Sequence, residues 1–246
     1  MLATPSKTAR TIPVNQRLIM ALDVPSVESA KALVQELGDS VQFYKLGLEL
    51  AMSGAYFELL AWLRKQDKHI FADLKFYDIP ATVGAAVGQL ANLDISFLTV
   101  HGDQSILEAA AEHKGPRLQI LAVTVLTSLD QDALRQMGIN IDISTLVLSR
   151  AKQALTSGCD GVIASGLETP ILRSALGKQI IIVTPGIRSS NHGSADDQKR
   201  VVTVRQAFEN GCDYIVVGRP IRNASSPRAA AETIQEEITD AIQKIS

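Results

Sequence analysis

Eight short apolar runs, each followed by a stretch of helical periodicity, constrain this chain more than any other feature. They occupy residues 18–22, 41–44, 69–72, 95–100, 118–123, 161–164, 180–183 and 214–217. The runs are near-continuously apolar and rich in β-formers, the pattern of parallel strands covered on both faces. Between them lie amphipathic segments. One opens at Ser26 as N-cap, puts Val27, Ala30, Leu33, Val34 and Leu37 on one face, and stops before Gly38. Eight βα units predict an α/β fold, a single (β/α)₈ TIM barrel over residues 17–246. A doubly wound sheet is the competitor, but no G-x-G-x-x-G follows the first strand. Residues 1–16 hold Lys7 and Arg10 with Pro5 and Pro13 and no apolar core of a signal peptide, so a flexible N-terminal extension is expected there.

Polar residues then gather at one end of the runs: Asp23, Lys45, Asp73 with Lys75, His101, Thr127, Ser165, Pro185-Gly186 and Gly218-Arg219. In a barrel that end is the face where the βα loops build an active site. The densest part is Asp73-Leu74-Lys75-Phe76-Tyr77-Asp78. Strand alternation points Asp73 and Lys75 the same way, while Asp78 lies past the strand end and turns back or toward another subunit. Opposite charges about 4 Å apart interact by roughly 4 kcal/mol at an effective dielectric near 20, enough to fix an ammonium and its protonation. A solvated ion pair is the plain reading of D-x-K alone. The convergence of the other strand ends favours a site.

Two features suggest a phosphorylated ligand. Gly218-Arg219-Pro220-Ile221 follows the eighth run and precedes a helix, the usual barrel position for a phosphate, and Arg adds a bidentate donor fork. The polar stretch 184–198 has the length and composition of a lid, in which Arg188 is placed to close over an anion.

Other functions are disfavoured. A net charge of -2 gives no electrostatic footprint for nucleic acid, and no run approaches the roughly 18 apolar residues of a membrane span. Two cysteines suit a reducing cytoplasm rather than a disulfide framework. Cys159 and Cys212 sit in twin segments, 152–163 and 205–216, where a helix ends at a Gly and a strand begins; that is the stability face of a barrel, not the catalytic one. His69, His101, His113 and His192 show no metal-ligand spacing, so no metal is expected. Neither a G-x-S-x-G elbow nor a Walker loop is present.

Taken in order, Ala21-Leu22-Asp23, Lys45-Leu46-Gly47, Asp73-Leu74-Lys75-Phe76-Tyr77-Asp78-Ile79-Pro80, Val123-Thr124-Val125-Leu126-Thr127-Ser128, Thr184-Pro185-Gly186-Ile187-Arg188 and Val217-Gly218-Arg219-Pro220 resemble the orotidine 5′-phosphate decarboxylase family in its bacterial form. The resemblance runs from Arg17 onward. It implies decarboxylation of orotidine 5′-monophosphate to UMP, the last step of pyrimidine nucleotide synthesis, without metal or cofactor. It further implies that Lys75 protonates C6, that Asp73 crowds the substrate carboxylate, and that Lys45 and Asp78 hold Lys75 charged and aimed. Asp78, Ile79 and Thr82 would enter the site from the other subunit of a homodimer. Asp23 and Lys45 would contact ribose and Thr127 the pyrimidine. Gln198, Arg219 and the Gly218 N–H would take the phosphate, with Pro185 and Arg188 on the lid side.

One stretch departs from the family pattern: His101 is followed by Gly102-Asp103-Gln104-Ser105 rather than a small, Gly-rich run. The nearest rivals are the Mg²⁺-dependent hexulose-phosphate synthases and ketogulonate-phosphate decarboxylases, which share D-x-K-x-x-D but carry a metal-binding Glu where this chain has Lys45. An ammonium there repels Mg²⁺. A non-catalytic nucleotide-binding barrel is the third reading, against which stands the cost of keeping Asp73, Lys75 and Asp78 desolvated without a reaction.

Overall fold

The structure, a computed structural model, describes residues 12–188 and 200–245. Eight parallel strands close on themselves in sequence order: β1 (Leu18–Ala21), β2 (Phe43–Leu46), β3 (His69–Phe76), β4 (Phe97–Val100), β5 (Gln119–Val123), β6 (Gly161–Ile163), β7 (Ile181–Thr184) and β8 (Tyr214–Val217). The helices around them are α1 (Val27–Leu37), α2 (Leu48–Ala51), α3 (Tyr56–Lys65), α4 (Pro80–Ala91), α5 (Gln104–His113), α6 (Gln131–Gln136), α7 (Ile143–Thr156), α8 (Thr169–Leu176), α9 (Val204–Glu209), α10 (Arg219–Arg222) and α11 (Pro227–Ile245). The predicted (β/α)₈ barrel is the fold.

Alternation inside the apolar runs decides which side chains fill the barrel. Ile19, Ala21, Phe43, Phe71, Phe97, Leu121, Val183, Tyr214 and Val216 form one buried cluster, the interior. Their neighbours Leu18, Met20, Tyr44, Ile70, Leu98, Ile120, Val162, Ile182 and Ile215 belong to a separate cluster shared with the helices. Phe97 touches Phe43 (5.0 Å between ring centroids), Tyr214 (5.1 Å) and Phe71 (6.0 Å), tilted or edge-on contacts worth about 0.5–1.5 kcal/mol each beyond area burial. This aromatic plug closes the lumen below the site.

The helices begin and end where local chemistry dictates. Ser26 accepts the Ser29 amide at 3.2 Å to start α1, and Gly38 ends it at φ 53°. Pro80 occupies the first turn of α4, where a missing N–H costs nothing. The atypical Gly102-Asp103-Gln104-Ser105 stretch proves to be a helix start. Asp103 accepts from the Ser105 and Ile106 amides at 2.9 and 3.2 Å and caps α5. Of the expected extension, residues 12–16 are described; Val14–Gln16 form a 3₁₀ turn, and Val14 and Ile12 pack on the two core clusters.

The twin segments carry twin clasps at the opposite rim. The Asp160 amide donates to the Ile120 carbonyl while its carboxylate accepts the Ile120 amide, both at 3.0 Å, and Lys114 pairs with that carboxylate at 2.5 Å. Asp213 repeats the arrangement on Ile182 at 2.9 and 2.8 Å, with Arg173 as the cation. Gly158 and Gly211 take the left-handed conformation as expected, at φ 85° and 94°. Cys159 and Cys212 are buried beside these clasps, and burial, reinforced by Asp213, pushes the Cys212 thiol far above its ordinary range. Neither is a usable nucleophile.

Candidate active site

The strands end around a cavity of about 480 Å³, within the range of small-molecule sites. Asp23, Lys45, Asp73, Lys75, Thr127, Pro185, Arg188, Gly218 and Arg219 all line it. Its floor is the top of the barrel core, Ala21, Phe71 and Val216. Nine of the predicted site residues are thus brought together from six strand ends.

At its deep end the charges alternate in a chain. Lys45 Nζ lies 2.9 Å from Asp23 Oδ1 and 3.4 Å from Asp73 Oδ2, and Lys75 Nζ lies 2.8 Å from Asp73 Oδ1. The side chains of Lys45 and Asp73 are 12% and 14% exposed, so the contact between them is largely desolvated, while Asp23 and Lys75 are 48% and 35% exposed. Burial alone would lower Lys45, yet Asp73 and Asp23 outweigh it and hold the ammonium above its ordinary range. Burial likewise pushes Asp73 up, but Lys45 and Lys75 outweigh it and hold the carboxyl below its ordinary range. Asp73 is therefore an ionised carboxylate set between two ammoniums. Lys45 already fills the gap between the two carboxylates, the place a divalent cation would need.

Two strand lengths differ from expectation, and both matter here. The apolar runs stop short of Lys45 and Asp73, but β2 continues to Leu46 and β3 to Phe76, so both residues are inside strands with their side chains in the lumen. A polar side chain ends an apolar run without ending the ladder. Near its end β3 also bulges: its pairing with β4 passes from Ala72↔Leu98 to Phe76↔Val100, and Lys75 sits at φ 48°.

Asp78, Ile79 and Thr82 do not join this cavity. All three are exposed, and the Asp78 carboxylate accepts only the Ile79 amide, at 2.6 Å, among the described residues. Gln198 and the rest of the expected lid beyond Arg188 lie outside the described residues, as does His192. Sequence reasoning missed Thr99, buried in β4 and donating to Asp73 Oδ1 at 2.9 Å, and Arg222, which lines the cavity and bonds the Asp23 carbonyl. For Thr99 a signal existed. Lys45, Asp73 and Thr99 each stand two residues after a lumen Phe, namely Phe43, Phe71 and Phe97.

Residues 16–234 match the family model described as orotidine 5′-phosphate decarboxylase / HUMPS family. The chain belongs to that family. Among relatives named orotidine 5′-phosphate decarboxylase, the Methylococcus capsulatus protein is 58% identical over 231 residues, covering 94% of this chain and 95% of its own length. The Xanthomonas euvesicatoria protein is 50% identical over 238 residues, covering 96% and 98%. The crystal structure of orotidine 5′-phosphate decarboxylase from Lactobacillus acidophilus superposes with a TM-score of 0.79 at 38% identity, over 91% of this chain and 99% of that one. Membership in the orotidine 5′-phosphate decarboxylase / HUMPS family accords with the barrel and with the carboxylate–ammonium chain at its mouth. Among the described residues no group of three or more His, Cys, Asp or Glu is arranged to hold a metal ion, and no helix is long and apolar enough to cross a membrane.

Proposed function

We propose that this chain decarboxylates orotidine 5′-monophosphate to UMP and CO₂, the last step of pyrimidine nucleotide synthesis, in the cytoplasm and without metal or organic cofactor. The observation that carries the reading is the Lys45–Asp73–Lys75 chain lining the cavity, with Arg188 and Arg219 also lining it.

The substrate carboxylate would lie against Asp73, whose enforced negative charge repels it. The C6–carboxyl bond then breaks, the electron pair stays on C6, and the Lys75 ammonium gives its proton to that carbon, leaving UMP and a neutral amine that water reprotonates. A fixed cation in a desolvated site stabilises the developing carbanion before the proton moves. Lys45 keeps Asp73 ionised and, with Asp23, faces the ribose. Thr127 faces the pyrimidine. Arg188, Arg219, Gly218 and Gln198 would bind the phosphate, with Pro185 against the substrate; contacts so far from C6 supply binding energy that holds the site shut.

The proposal extends to a homodimer. Asp78, Ile79 and Thr82 are exposed beside Tyr77, which is 71% exposed, and contribute nothing to their own cavity. Such a surface is suited to completing a partner's site across a two-fold axis. We further propose one catalytic domain, 17–246, preceded by a short extension. An absorbance assay of orotidine 5′-monophosphate loss tests the activity. Turnover that survives EDTA and dialysis is the expected result; turnover lost on chelation and restored by Mg²⁺ would move the chain to its metal-dependent relatives.

A further inference from the structure

We infer that Thr99 positions the Asp73–Lys75 pair, through a single hydroxyl that both shapes the β3 bulge and orients the Asp73 carboxylate. The inference deepens the proposed decarboxylation and rests on that reading.

Between the pairs Ala72↔Leu98 and Phe76↔Val100, β3 advances four residues while β4 advances two. Two residues too many stand on β3, and the ladder between the strands is interrupted. Lys75 lies inside this interruption at φ 48°. A left-handed backbone is strained for a residue with a Cβ, so its surroundings must hold it there. The Lys75 amide supplies the hold: it donates to Thr99 Oγ1 at 3.0 Å, a side chain standing in for the missing ladder carbonyl.

The same oxygen then dictates the carboxylate. A hydroxyl has one proton to give. Because Thr99 Oγ1 accepts from the Lys75 amide, that proton goes to Asp73 Oδ1, 2.9 Å away. Oδ1 also takes the Lys75 ammonium at 2.8 Å, which leaves Oδ2 facing Lys45 at 3.4 Å. Thr99 thus settles which oxygen serves which lysine. Rotating the carboxylate would break the hydroxyl contact and swing the Lys75 ammonium away from its place above the cavity floor.

Two other buried threonines satisfy their hydroxyls on the backbone. Thr124 and Thr169, equally buried, donate to the Ile163 and Ser165 carbonyls at 2.7 and 3.2 Å. Thr99, at 0% exposure, is turned instead onto the ionised pair.

Thr99→Val keeps the branched shape and removes the hydroxyl, whereas Thr99→Ser keeps the hydroxyl. With orotidine 5′-monophosphate, Thr99→Val should lose about ten- to a hundredfold in kcat, the weight of a hydrogen bond to a charged group, with KM little changed. Its acid limb should move to higher pH because Asp73 has lost a donor. Thr99→Ser should restore both. Wild-type kcat and pH profile in Thr99→Val would overturn the inference, as would a Thr99→Ser as impaired as Thr99→Val. If Thr99→Val does not fold by circular dichroism, Thr99→Ala against Thr99→Ser reads the same hydroxyl, and equal kcat overturns it. Carboxyl-labelled NMR gives a readout independent of turnover. The Asp73 resonance, assigned by its loss in Asp73→Asn, should titrate at higher pH in the variant lacking the hydroxyl than in wild type; equal titration sinks the inference. An inactive wild type would condemn the decarboxylation, whereas an active wild type with an unaffected Thr99→Val would condemn the role of Thr99 alone.

Discussion

Arg200 holds Glu168 at 2.7 Å in a pair whose side chains are only 9% and 7% exposed, and its other terminal nitrogen bonds the Val125 and Leu126 carbonyls at 3.0 and 3.1 Å. One guanidinium therefore joins the start of α8 to the loop after β5, directly before Thr127 in the candidate site. Arg200 itself stands between β7 and α9, where the bridge Ile187↔Val202 ties the residues after β7 to those before α9.

Breaking this pair from one side should be costly. Arg200→Met leaves a buried carboxylate without its partner and takes a donor from the Val125 and Leu126 carbonyls, the second of which keeps the Leu129 amide, an expected loss of about 3–5 kcal/mol. The double variant Arg200→Met/Glu168→Leu should recover part of it, because no uncompensated charge remains. Urea midpoints measure both. A single variant as stable as wild type would show that the pair contributes nothing.

Chemistry and binding should separate by residue. Lys75→Ala is expected to abolish turnover while UMP still binds, since the proposed phosphate contacts lie on other strands. Arg219→Ala should mainly raise KM, by the roughly 1.5–3 kcal/mol of a charged hydrogen bond. Calorimetric UMP titration alongside kinetics distinguishes them. Substantial turnover in Lys75→Ala would refute the proton-donor role.

The carboxylate between two ammoniums has a pH signature. Asp73 titrates below its ordinary range because Lys45 and Lys75 outweigh its burial. Its contribution to stability is thus complete above the unfolded-state value near 3.9 and is lost as pH falls from there through the lower folded value. Asp73→Asn should be less stable than wild type at neutral pH, and the gap should close below about pH 4. Lys45 has the opposite sign: its raised value contributes fully below the ordinary lysine range and fades only as pH rises through the folded value. Melting temperatures across pH for the two proteins check the acid window. A gap that widens toward low pH would contradict the assignment.

Hybrid dimers test the shared site. If Asp78 serves the partner, homodimers of Lys75→Ala or of Asp78→Ala are defective at both sites. A mixed dimer collects both lesions in one site and none in the other. Equal amounts unfolded and refolded together should therefore regain roughly a quarter of wild-type activity, given random two-fold pairing. Hybrids confirmed by mass yet no more active than their parents would place Asp78 in its own chain's site.

The barrel and most of the cavity were legible because they depend on local patterns. Apolar run length marks the strands, and the polar residues that stop the runs mark the mouth. Thr99 escaped because a β-branched threonine inside an apolar run reads as a strand former, and only alternation from Phe97 turns it inward. The bulge at Lys75 could not be read at all, since it exists only relative to β4. Arg222 and Arg200 meet partners 199 and 75 residues away, contacts that no local pattern encodes.

The Asp160 and Asp213 clasps work like hoops on a cask. Each tightens one seam, β5 with β6 and β7 with β8, at the rim remote from the cavity, and draws nothing from the residues that line it. The staves are held from below. Loops at the open rim are consequently at liberty to be rewritten, by nature or by an engineer, while the vessel that carries them keeps its shape.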